Sequence, residues 1–314
     1  MPTTTPERPF KALLKHHLIH DWLQNTTSFN SREAMRIDLQ EFVESLKIQA
    51  IDDLTKIQRS DIMEWRDSMA GTKENPGFAT RSIKRKLSTV SKFFESLCDA
   101  GFLKTNPFLG VERPKLSANE GTTAAISERQ ARDLLDAPNP DTLIGKRDRA
   151  ILATFLFHAL RRSELCNLQL KDLQEREGIK QFKILGKGEK ERYIPIHPSA
   201  ARRINDYWEA LGNQSDKELP LFRSLSNNGK NASKALTPTA VYQLVLRYGE
   251  KVGIDISNFS PHSLRATAAT NTLSNGEDIR RVQKWLGHAT IQTTAMYDKR
   301  NNRPEDSPTY RVKY

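Results

Sequence analysis

The second half of this 314-residue chain carries a succession of polar residues whose types suit attack on a phosphodiester. Arg161 lies in His-Ala-Leu-Arg-Arg-Ser-Glu-Leu, Lys187 in Gly-Lys-Gly-Glu-Lys-Glu-Arg, and His262 with Arg265 in Pro-His-Ser-Leu-Arg. His288 follows in Leu-Gly-His-Ala and Tyr297 in Ala-Met-Tyr-Asp. Breaking a phosphodiester passes through a pentacoordinate phosphorus that gathers negative charge on its non-bridging oxygens, so the site needs fixed cations aimed at them. Guanidinium forks bind phosphate oxygens in pairs and keep their charge at cellular pH, which makes Arg161 and Arg265 the candidates. A phenol can attack phosphorus, store the bond energy as an ester and later leave without ATP, which suits Tyr297. The departing 5′-oxygen of a nucleic acid needs a proton, for which Lys187 in its glycine-bracketed turn is the better donor, with His262 as base for the phenol proton. His288 is assigned a hydrogen bond to the attacked phosphate.

Singly, each of these signals is weak. An arginine on a helix is usually solvated, a Gly-Lys-Gly turn usually closes a hairpin, and a tyrosine near a C-terminus usually packs. Together and in this order they resemble the tyrosine recombinase family, the phage-integrase and Xer-type enzymes, whose pattern is Arg, Lys, His-x-x-Arg, His or Trp, and Tyr. The His-x-x-Arg is intact, Tyr297 follows His288 at a spacing of nine, and Lys187 occupies the turn where the family keeps its catalytic lysine. The resemblance implies a two-domain DNA clamp, mainly α with a small antiparallel β-sheet in the C-terminal domain. It further implies cleavage and rejoining through a 3′-phosphotyrosyl intermediate and a Holliday junction, with neither metal nor cofactor. The partners would be a double-stranded recombination site and three further copies of the chain, assembled as a tetramer on paired sites from free monomers.

Three neighbours of these residues need separate readings. The family pattern Leu-Arg-x-Ser-Glu-Leu makes Arg161 the catalytic arginine and leaves Arg162 a structural or surface residue, with Ser163 as N-cap of the next helix. Lys190 and Arg192 share the hairpin with Lys187 and suit a grip on DNA phosphates. Ala159 stands where the family usually has glycine, so a left-handed turn there comes at a higher conformational cost.

Charge and composition narrow the partner. Lys and Arg outnumber Asp and Glu by 49 to 38, a net charge of +11 that attracts polyanions. No stretch approaches the roughly 18 apolar residues of a spanning helix, and no signal segment opens the chain, so a cytoplasmic, nucleoid-associated protein is expected. Cys98 and Cys166 stand far apart as buried thiols, without metal-ligand spacing. His16, His17 and His20 lack cysteine or carboxylate partners and read as a polar helix face. The absence of a carboxylate pair at metal spacing disfavours a metal-dependent nuclease.

Positioning such residues requires two domains. Residues 11–103 show helical periodicity, as four or five packed helices. In the last, Ile83, Leu87, Val90, Phe94 and Leu97 form an apolar stripe, with Arg81, Lys84, Arg85, Ser88 and Lys92 opposite. That basic face suits a DNA backbone, and an ordinary solvated face reads equally well. Pro107, Gly110, Pro114 and Gly121 mark a linker. The division is thus a helical DNA-binding domain over 1–112, a linker over 113–125, a catalytic domain over 126–298 and a tail over 299–314. Within the catalytic domain Ser127 caps a helix, an apolar helix covers 146–160, and a β-hairpin covers 181–196. Helices return over 236–252, 263–273 and 277–286, the last stopped by Gly287. In the tail, 309–314 alternates as an edge strand does and suits docking on the hairpin edge of a neighbouring subunit, the alternative being an unanchored terminus. Two other functions compete with recombination: relaxation by a type IB-like topoisomerase using the same tyrosine chemistry, and DNA-binding regulation without catalysis. The second would be favoured by loss of a catalytic position, and each is filled.

Overall fold

The computed structural model describes residues 9–71, 77–115, 124–186, 190–212, 216–225 and 231–298, together with Thr309 and Val312. Mainly helical with a small antiparallel sheet, the chain divides into two compact units, Met1–Gly121 and Thr122–Tyr314.

The first unit packs α1 (Pro9–Leu13), α2 (His17–Gln24), α3 (Phe29–Ser45), α4 (Arg59–Met69) and α5 (Thr80–Asp99), with a 3-10 turn over Ile51–Lys56. His16 caps α2 by accepting the Leu18 N–H, and Ser28 caps α3 by accepting that of Ser31. The stripe on α5 is buried from Ile83 to Leu97, and Phe93 joins it against Trp22, with ring centroids 5.0 Å apart. Phe42 sits edge-on to Trp65 and Phe94, so one aromatic cluster holds three helices together. Two charges go inside with it. Lys86 pairs with Asp38 and Glu41 and lies 4.6 Å above the Phe78 ring. Arg85 pairs with the same buried Asp38 through Nη1 while its side chain stays exposed on the basic face. Arg81, Lys84 and Lys92 are exposed on α5.

In the second unit, Ser127 and Gln130 form a reciprocal cap at the start of α6 (Glu128–Asp136). The helix α7 (Leu143–His158) is buried almost all round from Ala150 to Phe155 and is packed by later elements. On it, the carboxylate of Asp148 receives the forks of Arg147 and Arg247 and the Tyr248 hydroxyl. After α8 (Arg162–Asn167) come β1 (Leu173–Arg176), β2 (Ile179–Leu185) and β3 (Glu191–Pro195), a sheet in that order with Phe182 opposite Ile194. The hairpin expected over 181–196 is the β2–β3 pair. Then follow α9 (Pro198–Leu211), a small pair β4 (Arg223–Leu225) and β5 (Asn231–Ala235), α10 (Pro238–Lys251), α11 (Pro261–Ser274), α12 (Ile279–Leu286) and α13 (Ile291–Ala295).

Some expectations differ from this arrangement. Ser163 is not a cap: α8 starts at Arg162, the cap position is Arg161, and the Glu164 carboxylate accepts the Arg161 N–H at 2.8 Å. A glutamate three residues into a helix reaches back to the exposed backbone N–H more effectively than a serine inside the first turn. Cys98 is half-buried, whereas Cys166 is buried. Lys187, and the tail apart from Thr309 and Val312, lie outside the described residues.

Ala159 ends α7 in the left-handed conformation, with φ 50° and ψ 35°, and is fully buried. Left-handed backbone costs an L-residue about 1–2 kcal/mol. Glycine would remove that strain but forfeit about 0.8 kcal/mol of buried methyl and about 0.5–1 kcal/mol of chain entropy. The terms nearly cancel, which explains how alanine is accepted here. Ala159→Gly is therefore expected to stay within about 1 kcal/mol of the parent in urea denaturation, while β-branched Ala159→Val loses about 2 kcal/mol or more. A glycine variant stabilised well beyond that range would show that the buried methyl contributes nothing.

Candidate active site

The turn after α7 places Arg161 at the mouth of the site. Its Nη1 is 2.7 Å from Glu164 Oε1, and its Nη2 donates to the Gly287 carbonyl at 3.0 Å, with about a third of the side chain exposed. Glu164 is buried and serves a second arginine. Arg192, on β3, donates Nη1 to Oε1 at 3.0 Å and Nη2 to Oε2 at 2.8 Å, while its Nε donates to the Trp285 carbonyl at 3.2 Å. That geometry corrects the reading of Arg192 as a DNA-phosphate contact: its fork is spent inside the protein, tying the hairpin to α8 and α12. Lys190, next along the turn, is exposed. Arg162 is exposed too, with its guanidinium 5.8 Å over the Tyr242 ring.

Arg265 comes from α11 and is 1% exposed. Its Nη1 donates to the Ala159 carbonyl, and its Nη2 donates to the Leu286 carbonyl at 2.6 Å and meets His288 Nε2 at 3.0 Å. Burial, followed by the neighbouring Arg161 charge, pulls its pKa down to about 10, which still leaves a cation at neutral pH. The left-handed backbone at Ala159 thus has a second use, since it turns a carbonyl onto this guanidinium.

One helical turn before Arg265, His262 puts Nε2 3.2 Å from the Tyr297 hydroxyl. Burial lowers the His262 pKa, with Arg265 and Arg161 adding to the shift, so the ring is neutral at pH 7. Tyr297 is 7% exposed, and burial raises its phenol while Arg265 and Arg161 pull the other way. His288 follows Gly287, whose left-handed φ of 65° stops α12. Its Nδ1 is 2.9 Å from Thr294 Oγ1, and burial together with Arg265 and Arg161 lowers its pKa to about 4. Both ring nitrogens are engaged within the protein, Nε2 with Arg265 and Nδ1 with Thr294.

The arrangement brings together five of the six residues singled out for chemistry: Arg161, His262, Arg265, His288 and Tyr297. Lys187 belongs to the turn between β2 and β3, outside the described residues. Two participants were missed from the sequence, Glu164 and Thr294. Glu164 carried a usable signal, an acid three residues after the candidate arginine at the spacing of a helix cap. Two guanidiniums, those of Arg161 and Arg192, share the Glu164 carboxylate, and Arg265 lies beside them as a further positive charge. A phosphate diester is the anion that two converging forks and a phenol beside a neutral imidazole can bind and attack.

Known proteins place this geometry in context. The family model described as the phage integrase family matches residues 125–303, and that of the phage integrase N-terminal SAM-like domain matches residues 14–101. The chain is 32% identical over 290 residues to tyrosine recombinase XerC of Thermodesulfovibrio yellowstonii, covering 90% of each. It is 31% identical over 292 residues to tyrosine recombinase XerD of Proteus mirabilis, covering 91% of this chain and 88% of the other. Its fold is similar to that of the XerH site-specific recombinase bound to palindromic difH substrate, with a TM-score of 0.71 at 19% identity over 86% and 76% of the chains. The Tn1549 transposon integrase in complex with circular intermediate DNA gives 0.69 at 17% identity over 98% of both.

The Glu164 bridge leads to a pH test. Burial opposes ionisation of Glu164, but hydrogen bonds from Arg192 and the Arg161 N–H outweigh it and hold the pKa down to about 2, from 4.5. A depressed carboxylate contributes stability that is complete above the unfolded value and lost as pH falls through the folded one. The window is therefore roughly pH 4.5 to 2, and the shift corresponds to about 3 kcal/mol. Glu164→Gln should be less stable than the parent by about that amount at pH 7 and should lose less on acidification, read by urea denaturation across the window. An unchanged acid limb in the glutamine variant would refute the account.

Proposed function

This chain belongs to the phage integrase family, the tyrosine recombinases, and on that premise we propose that Tyr297 is the nucleophile with which it cuts and rejoins DNA at specific sites. It is a site-specific recombinase, an enzyme of DNA strand exchange, and the topoisomerase and regulator readings are not favoured beside relatives of that name over 90% of the chain. The observation that carries the nucleophile assignment is the 3.2 Å contact between the Tyr297 hydroxyl and His262 Nε2, next to two arginines.

In the proposed reaction Arg161 and Arg265 take the non-bridging oxygens of the scissile phosphate and stabilise the charge that grows on them. His262 accepts the phenol proton as the Tyr297 oxygen attacks phosphorus, and His288 holds the Arg265 fork in place. The bond to the 5′-oxygen breaks, that oxygen takes a proton from Lys187, and a 3′-phosphotyrosyl ester remains. Attack by the 5′-hydroxyl of a partner strand reverses these steps and yields a Holliday junction, without ATP or metal. Residues 1–112 and 126–298 divide the work between DNA binding and chemistry, with Arg81, Lys84, Arg85, Lys92 and Lys190 as backbone contacts. Among the described residues no helix is long and apolar enough to cross a membrane, and we place the protein in the cytoplasm at the nucleoid.

Strand exchange between two sites needs four active sites, and we propose a homotetramer on paired sites in which residues 299–314 dock on the next protomer. The sheet order supports that docking, because it leaves β3 as an edge strand. Two experiments separate the parts of this reading. Tyr297→Phe should bind DNA as the parent does and form no denaturation-resistant adduct on a nicked site, and an adduct with the phenylalanine variant would remove Tyr297 from its role. Deleting residues 305–314 should leave single-site binding intact while reducing paired-site complexes in gel shift. A truncated protein that pairs sites and recombines like the full chain would show that the tail has no docking role.

A further inference from the structure

Thr294 makes two bonds to the reacting groups. Fully buried on α13, it puts Oγ1 2.9 Å from His288 Nδ1, and its carbonyl accepts the Tyr297 N–H at 2.9 Å. The proton on the His288 ring can be located from the opposite side. Arg265 Nη2 stands 3.0 Å from Nε2, and a guanidinium carries only donors, so Nε2 must offer its lone pair. A neutral imidazole has one N–H, which then sits on Nδ1, and Thr294 Oγ1 accepts it. The low pKa of His288 keeps that neutral form in place across the working pH range.

We propose that Thr294 is a positioning residue: it locks His288 in the Nδ1–H tautomer, so that Nε2 steadies the Arg265 fork, and it ties the ring to the backbone of the nucleophile. The role rests on the reading of Arg265 and Tyr297 given above. If the hydroxyl were lost, the Nδ1–H would be buried without an acceptor, or the proton would move to Nε2 and oppose the guanidinium N–H. Either outcome loosens Arg265 where phosphate charge develops. The ring centroids of His288 and Tyr297 are 6.0 Å apart, so a rotated imidazole also disturbs the packing of the phenol.

Thr294→Val keeps the shape and removes the hydroxyl, whereas Thr294→Ser keeps the hydroxyl and removes a methyl. Both variants are made in the full chain, with three readouts: single-turnover adduct formation on a nicked site, DNA affinity, and the imidazole nitrogen signals of 15N-histidine-labelled protein. The valine variant should form the adduct about 10- to 100-fold more slowly, by analogy with the loss of an outer hydrogen-bond partner from a metal-bound histidine. DNA affinity should stay within about twofold, and serine should restore the rate to within about threefold. The parent's His288 signals should show protonated Nδ1 and bare Nε2, a pattern lost or mixed in the valine variant. A valine variant as fast as the parent, a parent ring protonated on Nε2, or a slow valine variant with an unchanged Nδ1–H pattern would each overturn the proposal. Failure of the nucleophile reading is distinguishable, since it would appear as an adduct in Tyr297→Phe while the nitrogen signals still report the bond between His288 and Thr294.

Discussion

Two guanidinium groups are held side by side in a largely buried site, and the rest of the catalytic unit is arranged around making that tolerable. Burial, with the neighbouring Arg161 charge added to it, lowers the pKa of Arg265. Among the described residues no carboxylate bonds Arg265. Its forks end instead on the carbonyls of Ala159 and Leu286, while Arg161 reaches the carbonyl of Gly287. These carbonyls close α7 and α12, where helices leave acceptors unpaired and carry the negative end of their dipole. Oriented backbone dipoles offset the charge without cancelling it, so a site built this way retains its attraction for an anion.

The same field sets the state of every other group in the site. His262 and His288 stay neutral because protonation would add a third positive charge to a buried place already holding two. Burial favours the protonated phenol of Tyr297 and outweighs the opposing pull of the two arginines, so the hydroxyl is protonated at rest. Among the described residues Glu164 is the carboxylate bonded to Arg161, and it is shared between Arg161 and Arg192. Specificity of placement, more than net stability, is what such a buried bridge provides. Asp38 does a comparable job in the first unit, fixing α5 against α3 through Lys86 and Arg85.

Much of this was legible in the sequence, and the parts that were not share a cause. The periodic stripe on α5, the apolar α7, the β2–β3 hairpin and the stop at Gly287 are local patterns that a single stretch of chain declares. The strand β1 was not, because its four residues are only half-buried at one end, and α9, β4 and β5 were likewise passed over. Charge is readable from residue type, but the partner of a charge is not. Arg192 reads as a DNA contact from its type alone because its partner Glu164 lies 28 residues away, and Asp38, the partner of Arg85, lies 47 residues away. Ser163 has the residue type of a cap, but Glu164, the competing acceptor, takes the Arg161 N–H.

Gly287 carries a consequence for how this chain can vary. Its backbone is left-handed, and a Cβ there would stand 3.2 Å from the guanidinium of Arg192, a group pinned by Glu164 and the Trp285 carbonyl. Its own carbonyl is bonded to Arg161. A single added methyl would thus strain the turn, press on the hairpin's anchor and disturb Arg161. Substitutions at 287 and 192 should accordingly be coupled, with the cost of a side chain at the first position falling only when the second is shortened, so that the two positions drift together or not at all.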